Sequence, residues 1–366
     1  MHLDFFPSRT LTLYLAKLFI VRILAVLVML VLVLMMLDLL STSGEILAVE
    51  GNGQGDLLTY VSLRIPQLVM RFLPYSVLLA TIISLITLNQ NSEVIAMKAA
   101  GLSAHQVLAP LLLTSALVAV LTFGFNERVV TRATATLKAW EATEYGALPP
   151  DADTAKSNIY ITDGTNILTA RTVSGTGDTI TLGGVTWYAR TAAGQISEQI
   201  TAPSATYANP GWKLADPQLF DISTANTREA ESIVVGKALT TQQIELEAID
   251  PDTRPFWELG GAIDAYEATG RRTSELRAKW WHKLAGPLSA FLMPLLGAVA
   301  AFGLARSGQL FVRAVIGMGL GFAYFVVDNA ALAMGSFGGY PPFLAAWAPF
   351  FLFLLVGETV LIRTEE

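Results

Sequence analysis

The chain has no cysteine among its 366 residues and only three histidines. The first absence excludes a disulfide-stapled scaffold, thiolate metal sites and cysteine catalysis. The histidines, His2, His105 and His282, are scattered with no H-E-x-x-H or equivalent ligand spacing, so no metal site is expected. A G-x-x-x-x-G-K-[ST] phosphate loop is missing, and so is a G-x-S-x-G nucleophile elbow. No catalytic residues are therefore expected, and ATP is not bound by that route. Charge is also scarce, at 15% of residues against about 25% in a soluble domain. A net charge of −6 argues against a general nucleic-acid binder. With 53% hydrophobic residues, disorder is excluded as well.

What charge there is sits unevenly. Residues 127–283 carry 15 basic and 20 acidic side chains, about 22% of that stretch and close to the soluble norm. The remaining 209 residues carry 19 charges, about 9%. A normally charged insert thus interrupts two apolar blocks. A transmembrane helix needs roughly 20 mostly apolar residues. Three such runs precede the insert (Leu18–Leu37, Phe72–Ser92, Ala104–Phe125), and three follow it (Leu284–Ala305, Ala314–Ala333, Phe343–Ile362). The first run exceeds the 7–15 residues of a signal h-region and lacks an A-x-A cleavage site, so it reads as an uncleaved span. Lys and Arg are enriched in cytoplasmic loops. Arg9, Lys17 and Arg22, Lys98, Arg306 and Arg313, and Arg363 fall on one side, and loops Leu39–Leu63 and Asn329–Phe343 on the other hold none. Both termini are therefore expected in the cytoplasm and the insert outside.

Within the insert, short alternating segments recur between turn residues. Asn158–Thr162 leads through Asp163-Gly164 to Asn166–Thr172. Further strands are expected at Asp178–Leu182, Val185–Arg190, Gln195–Ala202, Trp212–Ala215, Leu219–Ile222 and Ser232–Val235, with turns at Gly183-Gly184, Asn209-Pro210-Gly211 and Asp216-Pro217. Such spacing reads as a sandwich, jelly roll or barrel. Phe256–Ala268 reads as a helix stopped by Gly270, and a second helix from Thr273 runs into the fourth span.

Three features carry candidate chemistry. The cytosolic segment at about 90–101 reads as a short helix lying along the membrane face, with Ser92 as cap, Glu93 in the first turn and Gly101 as stop. It shows Glu93 and Lys98 beside Val94, Ile95 and Met97, which suits either a plain connector or a helix docking in a partner's groove. On the outer side a basic stripe, Arg271, Arg272, Arg277, Lys279 and Lys283, lies at a depth similar to Arg128, Arg132 and Lys138. Snorkelling toward headgroups explains it, and so does recognition of an anionic lipid. Asp38, Arg71, Asp328 and Glu358 form an ionisable set near span ends, a default functional signal in a membrane.

The order of parts resembles the LptF/LptG (YjgP/YjgQ) permease family of the lipopolysaccharide-export ABC transporter. Ser92-Glu93 through Met97, Ala99 and Gly101 is similar to that family's S-E-x-x-x-M-x-A-x-G coupling-helix pattern. Trp280-Trp281-His282-Lys283-Leu284 with Pro287-Leu288-Ser289 resembles its lead-in to span four. Gly321-Phe322 through Tyr324 and Asp328, then Gly339-Tyr340-Pro341-Pro342, is similar to the G-type subunit rather than the F-type.

The resemblance implies an α-helical membrane protein of six spans, three plus three, around an inserted periplasmic all-β jelly roll. Residues 1–126 would hold spans 1–3, 127–270 the jelly-roll domain with its short helix, and 271–366 spans 4–6. It implies a non-catalytic subunit in the bacterial inner membrane that pairs with an LptF-like homologue and moves lipopolysaccharide through a cavity between first and fifth spans. An LptB-like ATPase dimer, which alone would use ATP and Mg, would dock on Glu93, Val94, Met97, Lys98 and Gly101. An LptC-like bitopic protein and an LptA-like periplasmic bridge would receive the lipid. Arg71, Arg128, Arg132, Lys138, Arg272, Lys279 and Lys283 are the candidate lipid contacts. G-type members carry lysines at the outer end of span one, whereas Met35–Thr42 here has one acid and no lysine. Either phosphate contact moves to Arg71, Arg132, Lys138 or Lys283, or the exported lipid differs in charge. The competing class is a membrane-anchored receptor or scaffold with a ligand-binding outer β-domain, which needs only one or two spans. An ion-coupled carrier is a third.

Overall fold

A computed structural model of the chain describes residues 7–146, 156–175, 177–191, 194–247, 249–268, 270–302 and 310–365. It divides into two compact units, one of Met1–Leu37, Gln67–Arg128 and Gly270–Glu366, the other of Asp38–Pro66 and Val129–Thr269.

Helices dominate the first unit. α1 (Arg9–Ala48) and α2 (Gln54–Gln90) are followed by the short α3 (Glu93–Ala99) and by α4 (Ala104–Phe125). A π-helical turn, Asn126–Val130, then leads into α5 (Thr131–Ala142) of the second unit. α1 and α2 are longer than the apolar runs that announced them. The expected loop Leu39–Leu63 is largely helical, because its polar residues end the hydrophobic run without breaking the helix. The break comes at Gly51, whose φ of +96° suits glycine, and Asp56 then accepts a hydrogen bond from the Gly53 N–H at 2.8 Å to start α2.

The second unit carries one antiparallel sheet. Its strands are β1 (Lys156–Thr162), β2 (Ile167–Ser174), β3 (Thr181–Arg190), β4 (Ile196–Tyr207), β5 (Trp212–Ala215), β6 (Gln218–Asp221), β7 (Asn226–Glu229) and β8 (Ser232–Val235). The order is β1-β2-β3-β4-β5-β8, with β6 paired to the first half of β4 and β7 to β6. Alternate residues point to one core: Leu168 and Ala170 on β2, Trp212 and Leu214 on β5. The turn expected at Gly183-Gly184 is a kink inside β3 instead. Gly184 takes φ +59°, which lets Leu182 and Val185, three apart, both face inward. A Cβ on Gly183 would lie 2.4 Å from Thr172 Oγ1, so β2 also requires the gap. β7 was not expected; its four residues are all exposed and leave no hydrophobic alternation to read. α6 (Thr241–Glu247) sends Ile244 into the sheet core. α7 (Phe256–Ala268) matches the expected helix, and Gly270 follows at φ +69°.

The chain then returns to the first unit with α8 (Ser274–Phe302), α9 (Leu310–Ser336) and α10 (Pro342–Glu365). Five helices among the described residues are long and apolar enough to cross a membrane: those at Arg9–Ala48, Gln54–Gln90, Ala104–Ala142, Val315–Ser336 and Pro342–Arg363. The expected fourth span, Leu284–Ala305, follows α8 to Phe302 and then passes, with Arg306, outside the described residues. Small residues draw these helices together, since lipid gives no hydrophobic drive between them. A Cβ on Gly335 of α9 would sit 2.4 Å from the Ala345 Cβ of α10, and one on Gly297 of α8 would sit 2.8 Å from Thr81 of α2. One core joins Phe19, Leu85, Leu108, Met293, Tyr324 and Phe353 from six helices.

Candidate functional site

α3 is only seven residues long, and the hydrogen bonds at its C-terminal end hold it firmly. Leu102 N–H donates to Met97 O at 3.1 Å and Gly101 N–H to Lys98 O at 3.0 Å, with Gly101 at φ +88°. This pairing closes the helix around a left-handed residue. Two residues later Ser103 opens α4 with reciprocal bonds to Gln106. The expected cap at Ser92 does not form: Ser92 adopts φ +61° and its side chain caps nothing. Val94 and Met97 are buried in the core that contains Leu15 and Phe19 of α1 and Val107 and Leu108 of α4. On the outward side Ile95 is 62% exposed, between Glu93 and Lys98. Glu93 Oε2 accepts a hydrogen bond from Tyr14 of α1 at 3.1 Å, and Oε1 one from Asn91 at 3.4 Å.

Above this helix in the same unit, α1, α2 and α4 enclose a cavity of about 430 Å³. Ile20, Leu24 and Leu27 of α1, Met70 of α2, and Leu117 and Phe125 of α4 line it. Its threonines offer nothing polar, because Thr114 donates to Pro110 O at 2.7 Å and Thr122 to Val118 O at 2.6 Å. The cavity suits hydrocarbon.

Each acid of the ionisable set faces a partner. Asp38 receives Arg64 through Nε and Nη2, both at 3.0 Å, and Tyr60 at 2.7 Å. Such a fork fixes both position and charge. Asp328, 7% exposed, lies 3.0 Å from His282 Nε2, and its Oδ1 is buried with no hydrogen-bond partner among the described residues. Glu358 lies 3.3 Å from His105 Nε2. These partners stand 26, 46 and 253 residues away, so no local spacing reveals them.

The basic candidates divide between the units. Arg71, Arg128, Arg272, Lys279 and Lys283 belong to the first, Arg132 and Lys138 to the second. Arg71 is exposed, with its guanidinium carbon 6.0 Å from the Phe72 ring centre. Arg128 and Arg272 are exposed on their own elements, while Lys279 and Lys283 are half-buried on α8. Arg132 is exposed, and Lys138 is already ion-paired with Asp250. Beyond the spans, burial and then the charges of Glu141, Tyr60, Glu45 and Asp38 push the Tyr145 phenol up to about 12.

Residues 13–363 match the model of a family described as lipopolysaccharide export system permease LptF/LptG. The chain belongs to the LptF/LptG permease family. Among relatives, the lipopolysaccharide export system permease protein LptG of Escherichia coli (strain K12) is 26% identical over 339 residues, covering 89% of this chain and 92% of that protein. The protein of the same name in Haemophilus influenzae is 23% identical over 327 residues, covering 86% and 89%. Within the LptF/LptG family the chain is LptG-like, and its apolar helices make it a multi-pass inner-membrane permease. The competing receptor reading, which needs one or two spans, does not fit five such helices.

Proposed function

We propose that the chain is the LptG-type permease subunit of an ABC transporter that lifts lipopolysaccharide out of the inner membrane. The observation that carries this reading is α3 in a chain whose family match runs nearly end to end: two side chains locked into the bundle, Ile95 and Lys98 exposed, and Glu93 half-buried beside them. A cytosolic ATPase dimer, which would supply the ATP and Mg chemistry, would seat on that face. The finer architecture belongs to the same proposal: six spans, cytoplasmic termini and a periplasmic jelly roll. An LptF-like subunit would complete the cavity, and a bitopic partner and periplasmic bridge would take the lipid from the sheet edges by strand addition. Arg71, Arg128, Arg132, Arg272, Lys279 and Lys283 are the proposed phosphate contacts. Lys138 would need to leave Asp250 to join them.

The test is Glu93→Ala in the full complex. The variant is expected to fold and insert normally but to lose a co-purifying ATPase and lipid export. Normal ATPase retention together with normal export would remove α3 from this role.

A further inference from the structure

α1 meets α3 through Tyr14 and is also a wall of the apolar cavity. Its first turns carry Leu15 and Phe19, both fully buried in the core that receives Val94 and Met97. Its next turns carry Ile20, Leu24 and Leu27, which line the cavity. A side-chain hydrogen bond from Tyr14 to Glu93, across 79 residues of sequence, links α1 to α3. A charge stands behind it: the Arg22 guanidinium lies within electrostatic reach of the Tyr14 phenol, and its Nη1 is buried with no hydrogen-bond partner among the described residues. Apolar contact lets neighbouring helices slide, whereas a hydrogen bond to a carboxylate is directional and fixes one orientation. Tyr14 thus supplies a directional contact between the two helices.

We propose that Tyr14 is the positioning residue through which displacement of α3 is passed to α1, and so to the wall of the cavity. This rests on the coupling role proposed for α3. Tyr14 touches neither lipid nor ATP. Its removal would leave the ATPase docked and hydrolysing at its basal rate while α1 no longer follows.

The absence of native cysteine permits a direct readout, with a single spin label at Val21→Cys, an exposed α1 position outside the cavity lining. The sample is the complete permease–ATPase complex in nanodiscs with purified lipopolysaccharide. With Tyr14 present, ATP is expected to shift the label's spectrum. In Tyr14→Phe, which keeps the ring, that shift and the lipid delivered per ATP are expected to fall about fivefold or more, the lower range of ordinary coupling between sites. ATPase co-purification, basal hydrolysis and melting temperature should stay unchanged. An unaltered label response and unaltered lipid per ATP in Tyr14→Phe would overturn the proposal while Glu93→Ala still uncouples. If no ATPase co-purifies even with the unsubstituted chain, the coupling role fails first and Tyr14 falls with it.

Discussion

The two units fill their interiors with different emphasis. In the helical unit the closest approaches are made where side chains are missing: Gly297 against Thr81, Gly321 against Leu78, Gly335 against Ala345 and Gly357 against Leu295. In the sheet unit the core is filled by bulk instead, with Trp187, Trp212, Val185 and Leu214 on one face. The difference follows from the solvent. Lipid is as apolar as leucine, so helices gain by approaching and by dispersion contact. Water drives the sheet to hide area, so large rings serve it better. Polar groups follow the same division. The sheet unit leaves Arg171–Glu144 and Arg228–Glu198 pairs at its surface, while the helical unit holds Asp328 nearly sealed against His282.

Substitutions in both units would break or sharpen this contrast. The largest effect is expected from Trp212→Ala, which empties a fully buried site and removes the Nε1 hydrogen bond to Leu239 O at 3.2 Å. A loss of about 3–5 kcal/mol is expected, as for other aromatic truncations. Limited proteolysis of the full chain should then cut within the sheet unit and spare α8–α10. Cleavage spread evenly over both units would mean that they do not fold by separate rules.

Next comes Gly335→Ala, at about 1–3 kcal/mol, the usual cost of overpacking. The new methyl would meet the Ala345 Cβ, which has no rotamer to escape into. Gly321→Ala should cost less although its clash is nominally shorter, because it meets the swinging Cδ2 of Leu78. Detergent-titrated unfolding in mixed micelles ranks the pair, and the reverse order would contradict packing by absent side chains. Smaller again is Ser103→Ala, about 1 kcal/mol for a lost helix cap. It should appear as faster amide exchange in the first turn of α4 alone.

The smallest effect concerns Tyr145. Its folded value of about 12 lies above the ordinary 10.0, so the folded state holds the phenol proton more tightly. That contribution to stability is complete below about pH 10 and fades as pH rises toward 12. Absorbance of tyrosinate, with this phenol assigned by difference against Tyr145→Phe, should show it titrating late, and Glu141→Gln should bring its titration earlier by removing a neighbouring charge. A late group unmoved by Glu141→Gln would leave burial as the whole cause.

Much of this was readable from residue order alone. α4 and α7 fall on the expected boundaries, because an apolar run bounded by Ser103 and a helix pattern ended near Gly270 are both local signals. α1 and α2 overran because hydropathy marks where a helix is greasy, and here the helices continue well beyond. The Gly183-Gly184 pair misled for a related reason: two glycines permit a turn, but the pairing of β3 with β2 on one side and β4 on the other decides that they bend a strand. Of the candidate site, the short helix could be read from the sequence, but Val94 and Met97, expected on the docking face with Glu93, Lys98 and Gly101, are buried in the bundle core. The counter-groups Arg64, His282, His105 and Tyr14 could not, since each arrives from another helix. A lone intramembrane acid was legible; its side-chain partner was not.

The left-handed conformation of Ser92 has a mechanical meaning. A non-glycine residue held at φ +61° stores about 1–2 kcal/mol that any relaxation of the backbone there would release. At the other end of α3, the paired closing bonds at Gly101 and the reciprocal cap at Ser103 leave three residues with no slack. The helix is therefore a lever welded to α4 and sprung against α2. In the coupling role proposed for α3, a load on its outward face would turn it about the welded end, with the strain at Ser92 setting how readily it yields.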